Sequence, residues 1–302
     1  MEAARILDEF AARTGLTTKA PPRRYLWTDA FAVMTWVGLG ELVLAQRLVQ
    51  QVHEVLGVAR SGEHPTARGL RIGKPLPERQ PHEPYDAERE WERDGQYFHY
   101  LTKWMHALQR MAGATGDERY RMWGVELMQA AHQAFVHPRG MYWKMSVDLT
   151  RPLVPSMGAH DPLDGLVEAA SLGLEREARD FARICEGRGW ATSDPLGAGG
   201  LLITAARLER LGMRSAQLAE EAEASVDAAA RTIGGPAARR LAFRELGFAL
   251  GLHTDERYLP LATELERFWL EPANQSAESW GEHRDINDVS LAAALAPAGA
   301  LG

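Results

Sequence analysis

The sequence predicts an all-α protein, an (α/α)6 toroid of six helical hairpins, on three observations. The chain repeats one unit of helix, Gly-containing turn and helix, with turns at Gly38-Leu39-Gly40-Glu41, Gly113-Ala114-Thr115-Gly116-Asp117-Glu118, Leu172-Gly173-Leu174-Glu175, Leu211-Gly212-Met213 and Gly251-Leu252-His253-Thr254-Asp255-Glu256. Gly173, Gly212 and Gly251 recur at an interval of 39 residues, which fits two helices and two connections per unit. Five turns make five hairpins. The first helix (about 3–13) and the last (about 285–296) each lack a neighbour, so pairing of the N- and C-terminal helices supplies the sixth hairpin and closes the ring. With 302 residues and 45% hydrophobic content, the chain is expected to form a single domain, 1–302.

Each segment fits this plan. Glu2, Arg5, Asp8, Glu9 and Arg13 alternate with apolar residues, the pattern of an amphipathic helix without the long apolar run of a secretory leader. The longest apolar stretch, Ala30 to Ala45, is broken by Gly38, Gly40 and Glu41 and falls short of the roughly 20 residues that span a bilayer. In the next helix Leu44, Leu48, Val52 and Val55 form one stripe opposite Gln46, Arg47, Gln50 and Glu54, as an outer-shell helix requires. Inner helices are apolar on more sides, as in Ala30 to Val37 and Leu291 to Leu295. Trp36, Trp104, Trp123 and Trp269 fall inside helices and are expected in the core.

Two insertions interrupt the repeat. The first, 59–93, holds Pro65, Pro75, Pro77, Pro81 and Pro84 among many charges and reads as an extended loop. The second, 137–160, contains Met141-Tyr142-Trp143-Lys144-Met145-Ser146-Val147-Asp148-Leu149, whose β-branched and aromatic content suits a short hairpin. Both join an outer helix to the next inner one, which places these long loops at the mouth of the toroid, where a scaffold carries recognition.

Charge and cysteine usage narrow the function. A net charge of −7 without a Lys/Arg cluster argues against nucleic acid as a partner. No membrane-spanning helix is expected. Cys185 is the only cysteine, which excludes an internal disulfide and a thiolate metal cage and suits the cytoplasm. No Walker loop, G-x-S-x-G elbow, H-E-x-x-H or dinucleotide fingerprint occurs. Neither a metal nor a cofactor is expected. His99 and His106 lie two turns apart on one helix without a carboxylate completing a metal set, so a structural role is expected for them as a pair.

The inner-helix starts carry the chemistry. Four of the six contain Trp and five contain Asp: Tyr25-Leu26-Trp27-Thr28-Asp29, Trp91 to Tyr100, His160-Asp161-Pro162-Leu163-Asp164, Trp190 to Pro195, Gly234-Gly235-Pro236, and Trp280 to Asp288. Asp before Pro is explained by helix capping, which suits Asp161 and Asp194, and Asp161-x-x-Asp164 and Asp285-x-x-Asp288 resemble capping boxes. Asp29, Asp94, Asp164 and Asp285 sit among His and aromatic residues that a cap does not require. Two carboxylates flanking a sugar ring are what glycosidic cleavage needs. Asp94 and Asp164 are the expected acid pair, with Asp29 and Asp285 next. Trp27, Trp91, Tyr97, Tyr142, Trp143 and Trp280 supply faces for sugar C–H surfaces, while His99, His160, His283 and Arg284 can bond hydroxyls or a carboxylate.

These inner-helix starts, Trp27-Thr28-Asp29 and Trp91-Glu92-Arg93-Asp94-Gly95 above all, resemble those of the six-hairpin glycosidase-like superfamily. Its members include glucoamylase-type hydrolases, unsaturated glucuronyl and rhamnogalacturonyl hydrolases and, on a similar barrel, the N-acylglucosamine 2-epimerase family. The resemblance implies a carbohydrate-active enzyme, foremost a glycoside hydrolase acting on a short or acidic oligosaccharide. The second reading is a sugar epimerase or isomerase using paired histidines, for which His160 and His283 are candidates because they begin corresponding segments. The third is a non-catalytic helical scaffold.

Overall fold

The computed structural model describes residues 2–59 and 62–302; Arg60 and Ser61, in the first insertion, lie outside the described residues. Helices dominate. In chain order they are α1 (Glu2–Arg13), α2 (Leu26–Leu39), α3 (Leu42–Leu56), α4 (Ala87–Glu92), α5 (Phe98–Thr115), α6 (Glu118–Phe135), α7 (Asp161–Leu172), α8 (Glu175–Cys185), α9 (Pro195–Arg210), α10 (Ala216–Ala230), α11 (Ala242–Leu252), α12 (Leu259–Leu270), α13 (Pro272–Gln275), α14 (Glu278–Glu282), α15 (Arg284–Leu295) and α16 (Ala298–Leu301). No helix among the described residues is long and apolar enough to cross a membrane.

The chain divides into two compact units, one of residues 1–11, 34–40 and 187–302, the other of residues 12–33 and 41–186. In the first unit α9 packs on α10 and α11, and α11 packs on α12 and α15. Residues from the start of the chain and the end of α2 belong to this unit together with the C-terminal helices, and α2 meets α16 there. The contact there is close: a Cβ on Gly299 would stand 1.8 Å from the Met34 carbonyl oxygen and one on Gly38 would stand 2.6 Å from the Gly299 nitrogen. A second seam runs between α9 and α11, where a Cβ on Gly251 would meet the Gly199 backbone at 2.4 Å.

These contacts revise the reading of two turn glycines. Gly38 and Gly251 lie inside α2 and α11 and exist for backbone approach, whereas Gly40, Gly116, Gly173 and Gly212 take the positive φ of true turns. The even interval of 39 residues therefore mixes two physical causes.

In the second unit α5 packs on α6 and α7, and α7 on α8. The helix starts are chemically explicit at several places. Asp117, Asp194 and Ser215 accept hydrogen bonds from the nitrogens of Arg119, Gly197 and Leu218, the cap expected of Asp194. Asp161 is different. The residue before α7 is His160, which makes no side-chain cap bond, and Asp161 is already the first helical residue, so the cap reading of Asp161 is corrected.

The insertions are ordered around small strands. The second forms β2 (Val136–His137) with β3 (Gly140–Met141), and β4 (Lys144–Met145), which pairs antiparallel with both β1 (Gln96–Tyr97) and β5 (Pro152–Val154). The Lys144↔Tyr97 register carries the next residue back, Trp143, to the N-terminal end of α5. The first insertion is mostly irregular, as its prolines dictate, but ends in α4, capped by Asp86.

Buried charge fixes that loop. Lys144 is fully buried, and its Nζ donates to Glu90 Oε1 at 3.0 Å and to the carbonyls of Glu90 and Arg93 at 2.6 and 2.8 Å. Arg79 Nε donates to Glu90 at 2.9 Å, and Arg93 makes a two-pronged bond to Glu83 at 2.6 and 2.8 Å. Bringing these charges out of water is costly, and saturating each with partners offsets the cost.

Candidate functional site

Two neighbouring helices of the second unit face each other with titratable side chains. From α5 come His99, Lys103 and His106, and from α7 come Asp161, Asp164 and Glu168, each series at the spacing that keeps one helix face. They meet as rungs. His99 Nδ1 lies 3.6 Å from Asp161 Oδ1, Lys103 Nζ donates to both oxygens of Asp164 at 3.0 Å, and His106 Nδ1 stands 4.0 Å from Glu168, whose other oxygen accepts from Gln109 at 2.7 Å.

The outermost rung differs from the others in its surroundings. Four rings enclose His99: Tyr97 stacked at 5.3 Å, Trp143 nearly parallel at 6.1 Å, and Trp27 and Tyr100 edge-on at 6.1 and 4.9 Å. Tyr25 and Tyr100 share a hydrogen bond of 2.6 Å between their hydroxyls. Asp161 is buried against Gly158, where a Cβ would come within 2.5 Å of its carboxylate.

This enclosure sets the protonation states. Burial first, and the nearby Asp164 second, push the Asp161 carboxyl up to about 8, so near neutral pH it carries a proton. Burial likewise pulls the His99 imidazole down to about 4, so it is neutral and free to accept one. The His99 side chain nevertheless keeps 23% of its surface open. Asp161 Oδ2, His99 Nδ1 and the Tyr97 hydroxyl have no hydrogen-bond partner. Buried polar atoms left this way are costly, and a polyhydroxylated molecule reaching the partly open His99 could supply the missing bonds. A neutral acid beside a neutral base is the arrangement for moving a proton to and from carbon.

The other expected site residues are placed as follows. Asp29 is fully buried, 3.4 Å from Arg24, and accepts from the Tyr25 nitrogen at 3.0 Å. Asp94 accepts from Arg71 and from the Gly73 nitrogen, each at 3.0 Å, and anchors the first insertion. Both carboxylates thus serve cation and backbone partners. Trp91, 53% exposed, stacks on Trp143 at 5.0 Å, and Lys74 lies 5.1 Å over its ring. Tyr142 turns aside to His137, 4.5 Å between rings. His160 is half-buried at the start of α7. Trp280, His283, Arg284 and Asp285 belong to the first unit: Trp280 packs on Trp269 at 5.6 Å, His283 on Phe243 at 5.8 Å, and Arg284 reaches Asp288 at 3.6 Å. No group of three or more metal-ligating side chains is assembled among the described residues.

Sequence reasoning singled out neither Lys103 nor Tyr100 and assigned Asp161 to a cap. The signal was present as helical spacing: His99, Lys103 and His106 at i, i+4, i+7, and Asp161, Asp164 and Glu168 at i, i+3, i+7. Trp36, Trp104 and Trp269 are buried as expected. Trp123 is only half-buried; it stacks on His64 at 4.3 Å and lines a hollow of about 500 Å³ between α3 and α6.

The comparisons add the frame. No family model and no curated protein matches the sequence. A solved structure, cellobiose 2-epimerase from Spirochaeta thermophila DSM 6192, is similar over 95% of this chain and 96% of its own, with a TM-score of 0.57 and 14% identity. The fold is the (α/α)6 barrel. At this identity the likeness establishes fold alone, and the chemistry rests on the side chains just described.

Proposed function

We propose that the protein is a carbohydrate-active enzyme that moves a proton beside the carbonyl of an open-chain sugar, an epimerase or aldose–ketose isomerase. The observation that carries this reading is the His99–Asp161 pair, neutral base and protonated acid 3.6 Å apart within four aromatic rings. The fold shared with a solved sugar 2-epimerase supports it.

In this reaction the C2 proton passes to the His99 imidazole. The electron pair it leaves forms the C1–C2 double bond of an enediol as the carbonyl oxygen takes the Asp161 proton. Return of a proton to the opposite face of C2, with the O1 proton passing back to Asp161, gives the epimer; return to C1, with the O2 proton passing to Asp161, gives the ketose, and no electrons leave the sugar. His160, at the start of α7, is the candidate for the second proton carrier. Trp27 and Tyr100 offer the apolar surface against which sugar C–H groups pack.

Hydrolysis fits less well. It needs two carboxylates on opposite sides of the scissile bond, whereas Asp161 and Asp164 stand three residues apart on one helix and Asp164 is bound by Lys103. Asp29 and Asp94 are engaged by arginines. A purely structural scaffold gains nothing from leaving Asp161, His99 and Tyr97 each with an unsatisfied polar atom.

The test is incubation with aldoses and short reducing oligosaccharides in deuterated water, followed by proton NMR. Exchange of the C2 proton with appearance of the epimer or ketose is expected, and His99→Ala should abolish it. Cleavage of glycosidic bonds without exchange at C2 would overturn the reading in favour of hydrolysis.

A further inference from the structure

The two insertions, far apart in sequence, meet in one column of rings. Lys74 and Trp91 come from the first and Trp143 from the second. Lys74 Nζ hydrogen-bonds the Trp91 carbonyl and lies over the Trp91 ring. Trp91 stacks on Trp143 with 22° between planes, and Trp143 continues to His99 with 12° between planes. Tyr97 touches all three rings, at 6.0 Å to Trp91, 4.9 Å to Trp143 and 5.3 Å to His99. Trp143 therefore has a ring on either side, and the half-exposed Trp91 is its cover. The column is rigid at its base, because Trp143 precedes β4, whose Lys144 is pinned by Glu90 and Arg93.

We propose that Trp143, backed by Trp91, is a positioning residue for His99: the two tryptophans wall the imidazole off from water and hold it facing Asp161. The significance for catalysis rests on the reading of His99 as the base given above. The geometry itself does not. A neutral imidazole in this position depends on keeping water from its ring, since hydration favours the charged form. The other titratable or charged groups around His99 are Asp161 and Asp164 on α7, Lys103 on α5, Lys74 on the first insertion, and the hydroxyls of Tyr97 and Tyr100. Burial is the largest influence and disfavours the imidazolium, Lys103 and Lys74 act with it, and Asp164 opposes them. Opening the wall should therefore raise the proton affinity of His99 although no charged residue has been altered.

The experiment follows the His99 ring by NMR across pH in the full-length protein without substrate. Trp143→Ala should move its titration midpoint up from about 4 towards the ordinary histidine value by about one pH unit or more. Trp91→Ala, at the exposed end, should move it less, and Trp143→Phe should leave it near wild type. The acid limb of kcat/KM should follow the midpoint in each variant. Should Trp143→Ala not fold, Trp143→Leu and Trp91→Ala carry the test, and an unmoved His99 midpoint in both overturns the proposal. A midpoint that moves in a protein inactive on every sugar sinks the proposed reaction and leaves the positioning role intact; a turnover-competent enzyme with an unmoved midpoint does the reverse.

Discussion

The clamp around Lys144 and the enclosure around His99 lie a few residues apart in the same unit, and they treat buried charge in opposite ways. In the clamp, Lys144 has three acceptors, Glu90 two cations, and Arg93 both oxygens of Glu83. In the enclosure, the buried Asp161 and the partly open His99 retain unpartnered atoms. Asp94 and Asp161 are alike in residue type and burial, but only Asp94 has a full set of partners, and the proposed chemical role of Asp161 rests on that difference.

The largest expected effect breaks the enclosure. Asp161→Asn should lower turnover about 10²- to 10⁴-fold, the range for a lost general acid. The same variant should melt no lower than wild type at neutral pH, because it removes a group whose charged form is disfavoured by folding. Near-normal rates with a large drop in melting temperature would assign Asp161 to the same structural class as Asp94.

Next in size is a cut in the clamp. Lys144→Met leaves Glu90 with Arg79 alone in a dry site and should destabilise the protein by about 3 kcal/mol, read from the midpoint of denaturant unfolding. A cost below about 1 kcal/mol would mean that the clamp is as weak as a surface pair, removing the contrast between the regions.

The smallest effect sharpens the comparison through pH. The folded carboxyl of Asp161 titrates at about 8 against an ordinary 3.8, so its contribution is fully present below the ordinary value and is lost as pH rises towards 8. His99 runs the other way: its folded value of about 4 lies below the ordinary 6.5, so its contribution is present above 6.5 and is lost as pH falls towards 4. Each slope is at most about 1.4 kcal/mol per pH unit. Between pH 6.5 and 8 only the Asp161 slope remains, and stability curves of wild type and Asp161→Asn should diverge there. Parallel curves would show the carboxyl to be ordinary in the folded state.

The repeat was legible because it is written in local chemistry. Apolar stripes, Asp caps and left-handed glycines such as Gly173 and Gly212 each act within a few residues. Gly251 mimicked a turn glycine because its true partner, Gly199, sits on another helix, and sequence spacing carries no sign of that contact. The aromatic and acidic content of the helix starts pointed to Trp27, Tyr97, His99 and Trp143, which surround the proposed site. The proposed acid was hidden, since Asp161 before Pro162 has the appearance of a cap until one sees that His160 occupies the cap position. Asp94 was attractive for its neighbours Trp91 and Tyr97, but the guanidinium that engages it, Arg71, comes from an irregular loop whose path no periodicity specifies.

The seam at Gly199 and Gly251 has a mechanical consequence. Where side chains separate two helices, a small push is absorbed by rotamer changes; here backbone rests on backbone, with nothing between to yield. Helices α9 and α11 must therefore travel together, so any breathing of that unit has its hinge elsewhere, in the connections that flank the pair.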